Sequence, residues 1–227
     1  MAERILSHFA CFRLGDAYIA SSKSERLELL DGWLGELRLA APRVELYQLY
    51  PSRGDWDLLV WSALPAAEPE APARFFETFA RATHGRRPAL VPGPTFWGLT
   101  RPSPYTGRRG SDREIDAVAG ERALYLVVYP FSKTAEWYLL PGGERREMMG
   151  DHIRVGRKFA DVRQLLLYSF GLQDQELVVV YETGDLARFS DLVYELRATE
   201  ARRFTALDTP ILTALHRSED DLFSLWL

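Results

Sequence analysis

Two stretches of the chain, "YQLYPSRGDWDLLVWSAL" at 47–64 and "LLYSFGLQDQELVVVYET" at 166–183, repeat one pattern. Each is an apolar run, a polar turn and a second apolar run, which reads as two β-strands joined by a loop. Working outward from the first, a helix at 24–39 precedes it, with Leu27, Leu30, Trp33, Leu34 and Leu37 on one face, and an apolar strand at 8–14 precedes the helix. A helix at 71–83, closed by Gly85, and a strand at 95–99 follow. Around the second stretch the same order returns: strand 123–131 and helix 143–159 before it, helix 186–202 and strand 210–215 after it.

Each run is β-α-β-β-α-β, a ferredoxin-like split βαβ unit. Such a unit covers only one face of its sheet with helices, so two in tandem bury their remaining faces against each other. The fold class expected is α+β, with tandem ferredoxin-like repeats forming a dimeric α+β barrel. The organisation expected is an N-terminal half at 1–100, a connecting loop at 101–121 and a C-terminal half at 122–227. A fold of this kind hosts many chemistries and names none.

Composition narrows the choice. The chain of 227 residues is 47% hydrophobic and 26% charged, which supplies a sizeable core. A net charge of -4 gives no general attraction to nucleic acid or to an anionic membrane. No apolar run has the length of a membrane span, and 1–14 lacks the apolar core and cleavage site of a signal peptide, so a cytoplasmic protein is expected. The single cysteine, Cys11, rules out an internal disulfide and any cysteine-held cluster, and its apolar neighbours suggest an inert thiol. There is no H-E-x-x-H, phosphate-binding glycine loop or nucleophile elbow, and "LPGGER" at 140–145 is a helix-entry turn.

Of the four histidines, His152 stands out. On the helix at 143–159, Met148, His152, Val155 and Phe159 follow one apolar stripe, which turns an imidazole inward, while Arg145, Arg146, Arg154 and Arg157 lie mostly elsewhere. Gly156, one turn later in what reads as a helix interior, costs about 1 kcal/mol relative to alanine and leaves space for something flat. A neutral imidazole beside such space suits axial ligation of a porphyrin iron; the alternative is a core histidine bonded to a backbone carbonyl. His84 reads as a helix C-cap beside Gly85, and His8 and His216 sit at strand ends with no assigned role. Trp97, Phe96 and Cys11 read as core.

Specificity comes from "YPFSKTAEWYLLPGGERREMMGDHIRVGRKF" at 129–159, "VRQLLLYSFGLQDQE" at 162–176 and "FSDLVYELRATEARRF" at 189–204. Over about a hundred residues these resemble the C-terminal half of the chlorite dismutase family, which includes the coproheme decarboxylases. The resemblance implies a haem-binding C-terminal half, haem b or iron coproporphyrin III as the cofactor, and a homo-oligomeric ring, commonly a pentamer. It places His152 on the proximal iron ligand and Glu200, on the next long helix, near the acid that bonds the ligand's other nitrogen. Tyr129 falls on the tyrosine close to the reactive propionate, and Lys133 on the accompanying lysine. Trp137 and Tyr138 fall on an aromatic pair. Tyr105, in "SPYT", falls on a tyrosine of the propionate-holding loop, with Arg108 and Arg109 as carboxylate partners or as solvated loop charges.

Gln164 separates the reactions. It stands where the resemblance puts an arginine in chlorite dismutases and a glutamine in many decarboxylases, so a neutral amide donor replaces a cation that would retain a chlorine oxyanion. The function expected is hydrogen-peroxide-dependent coproheme decarboxylation making haem b, with Tyr129 as electron and proton relay and Lys133 steering the carboxylate. Chlorite dismutation or peroxidase activity is the alternative within the family, and a haem carrier or sensor without turnover the alternative of another class.

Overall fold

The structure, a computed structural model, describes residues 4–105 and 113–227. The first half runs β1 (Ile5–Leu14), α1 (Asp16–Ala20), α2 (Lys23–Ala40), β2 (Arg43–Gln48), β3 (Leu58–Pro65), α3 (Ala71–His84) and β4 (Leu90–Leu99). The second runs β5 (Tyr125–Lys133), α4 (Ala135–Leu139), α5 (Gly142–Gly156), β6 (Arg163–Tyr168), β7 (Leu177–Thr183), α6 (Leu186–Arg197), a 3-10 turn (Glu200–Phe204), β8 (Thr205–Leu207), β9 (Leu212–His216) and α7 (Glu219–Trp226). Both βαββαβ runs are present. The helix expected at 186–202 is divided, because α6 stops at Arg197 and the chain tightens into the 3-10 turn.

Strand order in the first run is β4-β1-β3-β2, and in the second β9-β5-β7-β6. The runs do more than lie face to face. Edge strand pairs with edge strand, β4 with β6 through Leu99↔Tyr168 and β2 with β9 through Tyr47↔His216, so the sheet closes on itself. Closure leaves these strands without an open edge. At the β4–β6 seam the backbones approach so closely that a Cβ on Gly98 would stand 2.9 Å from the carbonyl oxygen of Tyr168. Glycine meets that requirement because it has no side chain.

Alternation then decides which residues meet. Phe9, Trp61, Phe96, Leu126, Val128, Leu165 and Val180 point inward and form the barrel core. Glu182, also inward on β7, is buried with Arg163 at 2.7 Å and Arg122 at 3.4 Å. Outward residues of β1–β3 meet α2, whose Leu30, Trp33, Leu34 and Leu37 are all buried, and the Trp33 indole N–H donates to Thr83 Oγ1 at 3.3 Å. Among the described residues no helix is long and apolar enough to cross a membrane.

Candidate functional site

The outer face of the second half is a small grid. Because β5, β7 and β6 are in register, their outward residues form three rows: Val127, Tyr181 and Gln164; Tyr129, Val179 and Leu166; Phe131, Leu177 and Tyr168. Under α6 the grid is packed, with Val127, Tyr181, Phe159, Val162 and Leu192 buried together. On β6 it is bare: Gln164 is exposed, and Leu166 is 38% exposed although it is apolar.

Helix α5 lies on the same side but does not close the layer. Its one buried side chain is Val155, while Met148, Met149, His152 and Ile153 are half-buried. Among the described residues the His152 ring makes no hydrogen bond or ion pair. Burial, helped by the Lys133 ammonium, lowers its pKa to about 4, so the ring is neutral at pH 7 with a free lone pair.

The position of Gly156 is corrected by the structure. It is the last residue of α5 rather than an interior one, and a Cβ there would make ordinary contact with Arg113 Nη2 at 3.6 Å. The space beside α5 therefore comes from the uncovered β6 face and not from a missing side chain. What Gly156 does is accept from Arg113 Nη1 at 2.7 Å through its carbonyl, at the negative end of the helix. The Arg113 carbonyl in turn accepts from the Gln164 N–H at 2.8 Å, so one residue ties the end of α5 to the strand bearing Gln164.

Glu200 is also placed differently from expectation. It opens the 3-10 turn instead of lying on a long helix, its side chain is exposed, and its partner is Arg203 at 3.1 Å. Among the described residues no hydrogen bond joins it to His152.

Lys133 ends β5, and its side chain reaches the 3-10 turn and α4. Its Nζ donates to the Ala201 carbonyl at 2.6 Å and lies 4.5 Å from the ring centre of Trp137, which is buried against Phe204. Burial and the neighbouring Arg202 lower the Lys133 pKa to about 8, so it stays mainly charged at pH 7. Its backbone N–H and the Tyr138 hydroxyl both donate to Glu176 Oε2, at 2.9 and 2.5 Å. Trp137 and Tyr138 thus belong to α4 with different fates, one buried behind the lysine and the other 38% exposed. Tyr105 lies close enough to Tyr138 and Tyr168 to influence both hydroxyls, and Arg101 stacks on Tyr168 at 4.1 Å. Arg108 and Arg109 lie outside the described residues.

Tyr129 is half-buried, stacked on Tyr181 at 6.4 Å between ring centres and hydrogen-bonded to it. Burial, then Tyr181, raises the Tyr129 pKa well above that of an ordinary phenol, which keeps it protonated. The Lys133 ammonium lies near enough to His152 to help lower its pKa, Tyr129 stands two rows behind Lys133 on one strand face, and Gln164 is two strands away on the bare side. Tyr181, Glu176, Arg113 and Leu166 were not marked by sequence. Only cross-strand register could have marked Tyr181 as a partner, since it lies far from Tyr129 along the chain.

Comparison with known proteins agrees with this architecture. A family profile described as chlorite dismutase matches residues 23–217. The chain is 35% identical over 183 residues to a coproheme decarboxylase of Mycolicibacterium smegmatis, covering 79% of this chain and 75% of that protein. In structure it is similar to a putative chlorite dismutase, TA0507, with a TM-score of 0.82, 28% identity and full coverage of both chains. A variant chlorite dismutase from Candidatus Nitrospira defluvii has a TM-score of 0.83 at 21% identity, covering 100% of this chain and 96% of that one, a likeness of fold alone. With most of its length matched by the profile and a relative above thirty per cent identity, this chain belongs to the chlorite dismutase family.

Proposed function

We propose that the chain is a haem-dependent oxidoreductase that decarboxylates coproheme with hydrogen peroxide to make haem b. The observation that carries this reading is the open layer between α5 and β6. There a neutral imidazole at His152, without a hydrogen-bond partner among the described residues, lies on one side, and a strand face bearing the exposed Leu166 and Gln164 lies on the other. A flat macrocycle fits such a layer: it would cover Leu166 and the half-buried methionines while taking the His152 lone pair on its iron. The relative named for coproheme decarboxylation points to the same chemistry.

When bound, the iron porphyrin would supply peroxide activation, and its propionates would be the groups converted to vinyls with release of carbon dioxide. The chain's own residues supply the rest. His152 would hold the iron. Lys133, charged at pH 7, draws a propionate carboxylate towards the end of β5. Tyr129 is a protonated phenol that can give up a hydrogen atom, one electron with one proton, and its hydrogen bond to Tyr181 fixes the ring for that step. Gln164 offers an amide where a guanidinium would hold a chlorine oxyanion, so chlorite turnover is expected to be poor. Trp137 backs Lys133, and Tyr105 sits at the mouth, where a propionate would emerge. Glu200 would need to leave Arg203 to support His152. The same reading places the protein in the cytoplasm as a homo-oligomer, a pentamer being the form to test by light scattering.

The test adds ferric coproporphyrin III to purified protein, titrates hydrogen peroxide and follows porphyrin mass, with oxygen release from chlorite measured in parallel. Loss of two carboxyl groups supports the proposal. Oxygen release from chlorite without a change in porphyrin mass would overturn it in favour of a dismutase, and binding with neither activity in favour of a carrier or sensor.

A further inference from the structure

The first half contains a cavity of about 630 Å³ on the far side of its sheet, between α3 and the outward faces of β1 and β4. That is within the size range, about 300 to 1,000 Å³, of small-molecule sites. Its wall is apolar, formed by Ala10, Phe12, Phe76, Phe79 and Pro92, with His8 in the lining. His8 is 5% exposed, and its Nδ1 has no hydrogen-bond partner. Its ring is held edge-on by Phe79 at 4.9 Å and Phe75 at 5.2 Å.

A buried polar group without a partner costs about 1–3 kcal/mol, and a phenylalanine at position 8 would join the aromatic cluster without that cost. The orphaned Nδ1 is fully covered, so a ligand in the cavity would meet the ring at its other nitrogen, Nε2. The rim adds a second signal. Arg81, His84 and Arg87 all border the opening. Arg81 is engaged by Glu77 at 2.5 Å, but among the described residues the Arg87 guanidinium makes no hydrogen bond or ion pair. An apolar wall, a neutral hydrogen-bonding group in the lining and an unpaired cation at the rim together describe a ligand with three matching parts.

We propose that this cavity is a second binding site, distinct from the layer beside His152, for a small amphipathic carboxylic acid. Its aromatic body seats among Phe12, Phe76 and Phe79, a hydroxyl or carbonyl on that body bonds to His8, and its carboxylate meets Arg87 at the rim.

The test uses 6-hydroxynaphthalene-2-carboxylate as the probe in calorimetric titration of the full chain, with and without saturating ferric coproporphyrin III. One-to-one binding that porphyrin does not displace is expected. Ala80→Trp, from an exposed position in the cavity wall on α3, should abolish it. Arg87→Gln should weaken it about tenfold, the scale of a charge-assisted hydrogen bond. His8→Phe should leave the apoprotein at least as stable and remove the preference for the hydroxylated probe over plain naphthalene-2-carboxylate. Absence of saturable binding, displacement by porphyrin, or binding unchanged by both Ala80→Trp and Arg87→Gln would each overturn the proposal.

Discussion

Helices α2 and α5 occupy the same place in the two βαββαβ runs, each crossing from the first strand to the second, but they do opposite work. Helix α2 buries Leu30, Trp33, Leu34 and Leu37 against a covered sheet face, where Leu46 of β2 is 5% exposed. Helix α5 buries Val155 alone, and the β6 counterpart of that face, with Leu166, stays 38% exposed. At about 1.5–3 kcal/mol per fully buried large apolar side chain, α2 contributes stability that α5 forgoes. One copy of the repeat has this face filled with side chains, and the other leaves it open at Leu166.

Two substitutions should separate those roles most sharply. His152→Ala should abolish proximal ligation, read as loss of the histidine-bound spectrum of the ferrous porphyrin complex. It should also change apoprotein stability in urea by less than about 1 kcal/mol, because among the described residues the ring has no hydrogen-bond partner to lose. Trp33→Ala should do the reverse, costing about 3–5 kcal/mol of stability through the cavity it leaves, with porphyrin affinity unchanged in the protein that remains folded. If His152→Ala unfolded the apoprotein, the imidazole would be a packing residue, and the contrast between the helices would collapse.

Much of this was legible in the sequence, for a physical reason. Strand alternation and helical periodicity are local, so the repeat at 47–64 and 166–183 exposed the tandem fold, and the apolar stripe exposed the inward turn of His152. Contacts made far along the chain were not. Closure through Leu99↔Tyr168 depends on edges meeting, and the Tyr129–Tyr181 pair depends on register between β5 and β7. Short elements such as α4 and β8 carry too few residues for a period to show. Gly156 and Glu200 were misplaced because helix ends are set by what caps them, here Arg113 and the tightening into a 3-10 turn. The bare face of β6 leaves little mark: "RQLLLY" runs three leucines together, so the exposed Leu166 reads in sequence like its buried neighbours Leu165 and Leu167.

Within the open half the effects should grade downward from the ligand. Tyr129→Phe keeps the ring on Tyr181 but removes the hydroxyl, so decarboxylation should fall about a hundredfold or more while porphyrin affinity holds, a loss on the scale of one positioned proton-transfer group. Stopped-flow mass analysis of the porphyrin after peroxide checks it. The apoprotein should lose about 1 kcal/mol for the broken tyrosine pair, far less than Trp33→Ala costs in the closed half. Unimpaired turnover would mean that Tyr129, like its neighbours under α6, only packs.

The smallest effect expected is a pH dependence, and its sign follows from Lys133. Burial, then Arg202, holds its pKa at about 8, below the ordinary value for lysine. At pH 7 about nine-tenths of the side chains are charged and can grip a carboxylate, and at pH 9 about one-tenth are, so affinity for coproporphyrin should weaken as pH rises through this window. A bound carboxylate favours the ammonium, so the midpoint in the complex should lie above that of the free protein. Lys133→Met removes the titration while leaving the aliphatic stem on Trp137, so the affinity ratio of wild type to variant isolates the ammonium from other pH effects on the iron. That ratio should be several-fold at pH 7 and approach unity at pH 9. A flat ratio would show that the Ala201 carbonyl keeps the ammonium to itself, making Lys133 another packing residue and the open half less different from the closed one.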